Sequence, residues 1–122
     1  MNQNTILSKT AVVPKNPFGR QTLAKFFRAL GDANRVALIG FIAEKERSGS
    51  DCVSFLNLAQ SRVSSHLSCL VNFGLLTVRR EGRFSYYSVT DHRVLELVGL
   101  GSAITSDNAE SVARWVRSDR NA

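Results

Sequence analysis

The chain has 122 residues, 43% hydrophobic and 21% charged, which is enough apolar content for one core and too little charge bias for disorder. Its apolar runs fall far short of the roughly 18 residues that span a bilayer. No charged-then-apolar N-terminal segment ends in a small-residue cleavage site, so neither a membrane protein nor a secreted one is expected. Lys and Arg number 16 against 10 Asp and Glu, and the net charge of +6 favours a polyanionic partner, nucleic acid before a membrane surface.

The positive charge is concentrated in two stretches. Residues 1–31 hold five basic side chains and no acid, and residues 60–93 hold five Arg against Glu81 and Asp91. Residues 1–18 are polar, interrupted by Pro14 and Pro17, and read as a flexible basic tail. A helix is expected from near Arg20, because Leu23, Phe26, Phe27 and Leu30 recur at helical spacing, and Gly31 stops it. Asp32 stands as the N-cap of the next helix, in which Val36, Ile39 and Ala43, widened by Leu38, Phe41 and Ile42, make a central core element. The polar run from Glu44 to Ser50 reads as a solvated loop, and the short segment Asp51 to Leu58 turns Val53 and Leu56 inward.

The following helix is clearer. Val63, Leu67, Leu70 and Val71 form its core stripe, while Gln60, Ser61, Arg62, Ser64, Ser65 and Ser68 lie off it; Gly74 ends it. The period then changes from 3.6 to 2 over Leu76–Arg80 and Phe84–Val89, with Glu81-Gly82 as the hairpin loop and Arg79, Arg80 and Arg83 crowding its tip. Asp91 caps a helix carrying Val94, Leu95, Leu97, Val98 and Leu100, more apolar than a small monomer needs. A last helix over 107–117 sets Ala109, Val112, Ala113 and Val116 on one side, with Trp115 near that face.

This order defines a mainly α fold with a small β-hairpin, a winged helix-turn-helix. A tail over 1–18 precedes a DNA-binding and dimerisation domain over 19–105, and a helical extension covers 106–122. A helix presenting Ser, Gln and Arg suits the major groove, where hydroxyls donate and accept and Arg can be bidentate to guanine. Arg on the hairpin suits phosphates or the minor groove. Cys52 and Cys69 are too few for a disulfide scaffold and read as reduced thiols in a cytoplasmic protein. No nucleophile, base and orienting group converge in the sequence, and no phosphate-binding glycine loop is present, so an enzyme is not expected.

Three segments carry a resemblance to the ArsR/SmtB family of bacterial repressors. Phe27-Arg28-Ala29-Leu30-Gly31-Asp32-Ala33-Asn34-Arg35 resembles its "ALADPTR" opening. Gln60-Ser61-Arg62-Val63-Ser64-Ser65-His66-Leu67 resembles its "QSxVSxHL" recognition helix. Gly74-Leu75-Leu76, with Arg79-Arg80-Glu81-Gly82-Arg83 and Tyr86-Tyr87, resembles its wing. The likeness covers roughly residues 20–103, and His66-Leu67-Ser68-Cys69-Leu70 is most similar to the cadmium/lead-sensor branch. It implies a homodimeric repressor on double-stranded operator DNA, with Gln60, Ser61, Arg62, Ser64, Ser65 and His66 on the DNA side and Arg79, Arg80 and Arg83 in the wing. His66 there suits a hydrogen-bonding brace of the helix better than a metal ligand. The dimer interface implied is the first and penultimate helix, here Leu23, Phe26, Phe27, Leu30, Leu97 and Leu100.

The family's sensor sites are only partly present. Cys52-Val53-Ser54 keeps one thiol of a Cys-x-Cys, and Asp91 matches a second site whose His positions hold Arg93 and Ile104. Cys69 matches a third site, but Phe73 replaces its next cysteine, and Arg114 and Trp115 stand where a cysteine pair occurs in relatives. Two inputs stay open. Cys52 and Cys69 bind a thiophilic ion (Cd, Pb, Hg or As(III)) or are oxidised, or sensing has been lost and the protein is an otherwise controlled DNA binder. A dimeric protein-interaction module is the alternative from a different class.

Overall fold

The computed structural model describes residues 12–121. Of the tail expected over 1–18, the part before Val12 lies outside the described residues. Helix α1 (Pro17–Leu30) begins earlier than the apolar spacing suggests. The Asn16 side chain accepts a hydrogen bond from the Gly19 amide at 2.6 Å, and Pro17 sits where its missing N–H costs nothing.

Helix α2 (Ala33–Glu44) is the centre of the molecule. The Asp32 carboxylate caps it, accepting from the Asn34 and Arg35 amides at 2.9 and 3.2 Å. Leu38, Ile39 and Ile42 are buried, and α2 touches α1 and, of the elements introduced next, the second strand of the hairpin and every helix but the last. Those elements begin with α3 (Gly49–Leu56) and α4 (Gln60–Asn72), then the hairpin of β2 (Leu76–Glu81) and β3 (Phe84–Val89). A long α5 (Arg93–Asp107) and a terminal α6 (Ala109–Asn121) complete the order.

Ser48 and Asp51 close a reciprocal capping box at the start of α3, with bonds of 2.9 and 3.0 Å. Asn57 takes the left-handed conformation, φ 55°, and turns the chain from α3 into α4. The core gathers under these helices from Cys52, Val63, Leu67, Leu70, Leu75, Leu76 and Val94.

The sheet also differs from the sequence reading. The polar run after α2 is not wholly a loop: Arg47–Ser48 form a short strand, β1, paired with Tyr87 and Tyr86 of β3, giving a sheet ordered β1-β3-β2. Arg47 holds it inward, its guanidinium 3.8 Å from the Phe41 ring centre and its Nε donating to the Phe41 carbonyl at 3.0 Å. The hairpin loop is Gly82-Arg83 rather than Glu81-Gly82, because Glu81 still pairs with Phe84. Gly82 has φ +63° while Arg83 has no positive φ, as in a two-residue turn with glycine in its first central position.

Helix α5 is also longer than the apolar run suggested. Asp91 caps it from one residue outside, its Oδ1 accepting from the Arg93 amide at 3.1 Å. From Gly99 to Ser118 every residue except Val112 is exposed, so the distal half of α5 and α6 stand away from the core.

Candidate nucleic-acid interface

The helix-turn-helix is α3, the Asn57–Ala59 turn and α4. Val63, His66, Leu67 and Leu70 bury one side of α4. Gln60, Ser61, Arg62, Ser64, Ser65 and Ser68 are therefore left exposed on the other, as 3.6-residue periodicity requires. The Ser65 hydroxyl donates to the Ser61 carbonyl at 3.1 Å, which orients it along the helix.

The wing folds back toward this face. A cleft of about 360 Å³ is lined by Gln60 and Ser64 of α4, Ser50 and Ser54 of α3, and Arg83 and Ser85 of the hairpin. The first turn of α4 and the tip of the wing thus share one polar, basic hollow. Ser50 and Ser54 were not singled out by the sequence reading, because α3 was too short to show a polar face.

The three wing arginines are not equivalent. Arg79 makes a two-pronged contact with Glu46, at 2.7 and 3.1 Å, and lies over the Tyr86 ring. It also reaches Glu81 at 3.3 Å, and its pKa is raised chiefly by the Glu46 carboxylate. Among the described residues Arg62, Arg80 and Arg83 form no ion pair with a carboxylate, so they carry the free positive charge of this face.

His66 differs from the rest of the DNA-side set. It is only 9% exposed, and its Nδ1 lies 3.2 Å from Nη1 of Arg35. That contact needs Nδ1 as the acceptor, hence a ring unprotonated on that nitrogen. The same guanidinium donates through Nε to the Ala29 carbonyl at 2.6 Å. Arg35 therefore fastens the end of α1 to the buried side of α4. His66 is a brace beneath the recognition surface, since its position three residues after Val63 turns it inward.

The thiols do not form a ligand set within one chain. Cys52 is fully buried in the core, and that burial pushes its thiol up to about 11. Cys69 is half-buried beside a shallow groove lined by Lys25, Arg28, Arg35 and Phe73. Among the described residues no group of three or more His, Cys, Asp or Glu side chains is placed to hold a metal ion. Asp91 is held by Arg93 at 2.6 Å, and that partner keeps its carboxyl down at about 2. Soft ions want several thiolates, and a buried, protonated Cys52 is a poor donor, so these residues do not fit a closed thiophilic site.

Of the residues expected at a dimer face, Leu23, Phe26, Leu30 and Leu97 are half-buried, while Phe27 and Leu100 are 49% and 62% exposed. Phe26, Leu97 and Leu100 border one apolar groove between α1 and α5.

Fold and surface together define a winged helix-turn-helix transcriptional regulator. The sequence signature described as "Bacterial regulatory protein, arsR family" matches residues 32–78. A probable mercury resistance operon repressor of Streptomyces lividans is 46% identical over 91 residues, covering 75% of this chain and 73% of that one. A cadmium resistance transcriptional regulatory protein, a CadC homolog of Staphylococcus aureus, is 33% identical over 92 residues, covering 75% and 74%. In fold, the chain is similar to the homodimeric winged helix-turn-helix DNA-binding domain Mb0332 of Mycobacterium bovis, with a TM-score of 0.66, 22% identity and coverage of 80% and 92%. The chain belongs to the arsR family of bacterial regulatory proteins. Among the described residues no helix is long and apolar enough to cross a membrane.

Proposed function

We propose that the chain is a cytoplasmic repressor that binds a pseudo-palindromic operator as a homodimer through α1 and α5. In each half-site α4 enters the major groove, with Gln60, Ser61, Arg62, Ser64 and Ser65 at or near base edges. Arg80 and Arg83 hold the backbone, and Arg79 joins them only by exchanging Glu46 for a phosphate. His66 keeps α4 seated through Arg35. The observation that carries this reading is the hollow shared by Gln60, Ser64 and Arg83, in which one duplex can meet helix and wing together.

The input is a separate question. Names of relatives point to mercury and cadmium. The burial of Cys52 favours the other alternative, a regulator that is not released from DNA by a Cys52–Cys69 metal pair.

Fluorescence anisotropy on DNA from the gene's own upstream region tests the DNA reading. Arg62→Ala relaxes sequence preference, and Arg83→Ala weakens binding to all sequences and flattens the salt slope by up to about one unit. If both variants bind like the parent, the assignment is wrong. Partner binding indifferent to salt, with none on any DNA, would favour a protein-interaction module instead.

A further inference from the structure

The exposed face of α4 has two edges, and the wing accounts for only one. Gln60, Ser64 and Leu67 border the hollow under the wing. Along the other edge Arg62, His66, Cys69 and Phe73 recur at helical spacing, and this edge looks toward α1. Cys69 and Phe73 share a shallow groove with Lys25 and Arg28. The same two residues close a second groove on the exposed face itself, with Ser65, Ser68 and Asn72. A third groove runs on from Lys25 and Arg28 to Gln21 of α1. The surface is thus continuous from the recognition helix onto α1.

Helix α1 is divided into two sides by its own periodicity. Leu23, Phe26, Phe27 and Leu30 take the side assigned above to the dimer. Gln21, Lys25 and Arg28 fall on the opposite side, and all three are exposed. The helix contains no acid. Among the described residues neither Lys25 nor Arg28 pairs with a carboxylate. Asp32, the acid that follows α1 in the chain, is already engaged by the Asn34 and Arg35 amides.

We propose that Lys25 and Arg28 form a second backbone-binding edge, which seats the phosphate strand on the flank of α4 away from the wing; this rests on the DNA reading above. A helix in a major groove about 12 Å wide has a sugar-phosphate backbone on each side. The wing serves the side bordered by Gln60 and Ser64. On the side bordered by Arg62 and Cys69, the cations without a carboxylate partner come from α1. Charge complementarity and continuity with the recognition face select duplex DNA as the occupant. Contacts to phosphate carry no base information, so this edge adds affinity and fixes register without adding sequence preference.

The full-length protein is titrated by fluorescence anisotropy on DNA from the gene's own upstream region and on unrelated duplex, over a series of salt concentrations. Lys25→Ala/Arg28→Ala is expected to weaken binding to both duplexes by the same factor and to flatten the salt slope by about two units, at roughly 0.9 per phosphate. Arg20→Ala is the control. It removes the same charge from α1, but Arg20 is bonded to the Pro14 and Lys15 carbonyls and lies off the Lys25–Arg28 side, so its slope should match the parent's. Phosphate-ethylation interference on the parent should mark both strands flanking α4, and the double variant should lose the marks on the flank away from the wing. Sedimentation velocity follows the oligomeric state of each protein. An unchanged slope in the double variant, with a fall in Arg83→Ala, overturns the α1 edge and leaves the DNA reading standing. Equal falls in Arg20→Ala and the double variant mark bulk charge and overturn the edge as well. A double variant that no longer dimerises places this side of α1 between copies of the chain and overturns it. A parent that binds no DNA overturns both this edge and the reading beneath it.

Discussion

Selective alkylation separates the two thiols and bears on how the regulator is controlled. Cys52 has no exposed surface, and burial, reinforced by the neighbouring Asp51 carboxylate, pushes its thiol up to about 11. At pH 7.5 such a group is ionised to about 3 parts in 10,000, against about 1 part in 10 for an ordinary cysteine. Because the thiolate is the reacting species, ionisation alone slows Cys52 roughly 300-fold, and the need to open the core slows it further. Cys69 is half-buried at the edge of a groove and needs no such opening. Native protein treated with iodoacetamide at pH 7.5, quenched over time and digested for mass spectrometry, is therefore expected to carry the label on Cys69 at least about 100 times sooner than on Cys52. In urea the two should react at similar rates. Comparable labelling of Cys52 in the folded protein would refute the reasoning and return it to the list of candidate sensors. The functional counterpart is a Cys52→Ser variant whose DNA release by Cd(II) or Hg(II), where the parent shows any, is unchanged.

Other expectations follow from the same contacts. Arg35→Ala removes the bonds to the Ala29 carbonyl and His66 and leaves a buried imidazole nitrogen without its donor, which costs about 2–4 kcal/mol in urea unfolding. Arg35→Lys recovers little, because an ammonium cannot fork to both acceptors, and a loss below about 0.5 kcal/mol in Arg35→Ala would remove the brace from the account. Glu46→Gln frees Arg79 for phosphate, so DNA affinity rises and the salt slope steepens by up to about one unit; an unchanged slope means that Arg79 does not reach the duplex. Asp91, its carboxyl held at about 2 by Arg93, favours the folded state above the ordinary carboxylate range. That contribution is lost as pH falls from about 4 through 2, because the unfolded chain takes up the proton first. Carboxyl NMR should place the Asp91 midpoint near the low end of that window in the parent and higher in Arg93→Ala, which loses the guanidinium and keeps only the backbone amide bond.

What the sequence made legible is what periodicity controls. The stripe Val63, Leu67 and Leu70 fixes which side of α4 is buried, so the exposure of Gln60, Arg62 and Ser64 follows without knowledge of any other element. The same arithmetic places His66 inward, three residues after Val63, and its placement with the DNA-facing residues came from the motif rather than from the helix. The two-residue strand β1 left no trace, since two residues carry no period and its pairing is with Tyr86 and Tyr87, some forty residues on. The hairpin loop slipped by one residue because alternation fixes which face a side chain takes but not where a turn closes. The pairings that tune the site were the least legible. Glu46 and Arg79 stand 33 residues apart, and Arg35 and His66 stand 31 apart, so only the folded chain brings them together. For the wing this changes the chemistry as well as the count. Three arginines read from the sequence as one basic tip become two with no carboxylate partner among the described residues and a third already bound to one, so in the proposed DNA complex Arg79 would have to exchange that carboxylate for phosphate.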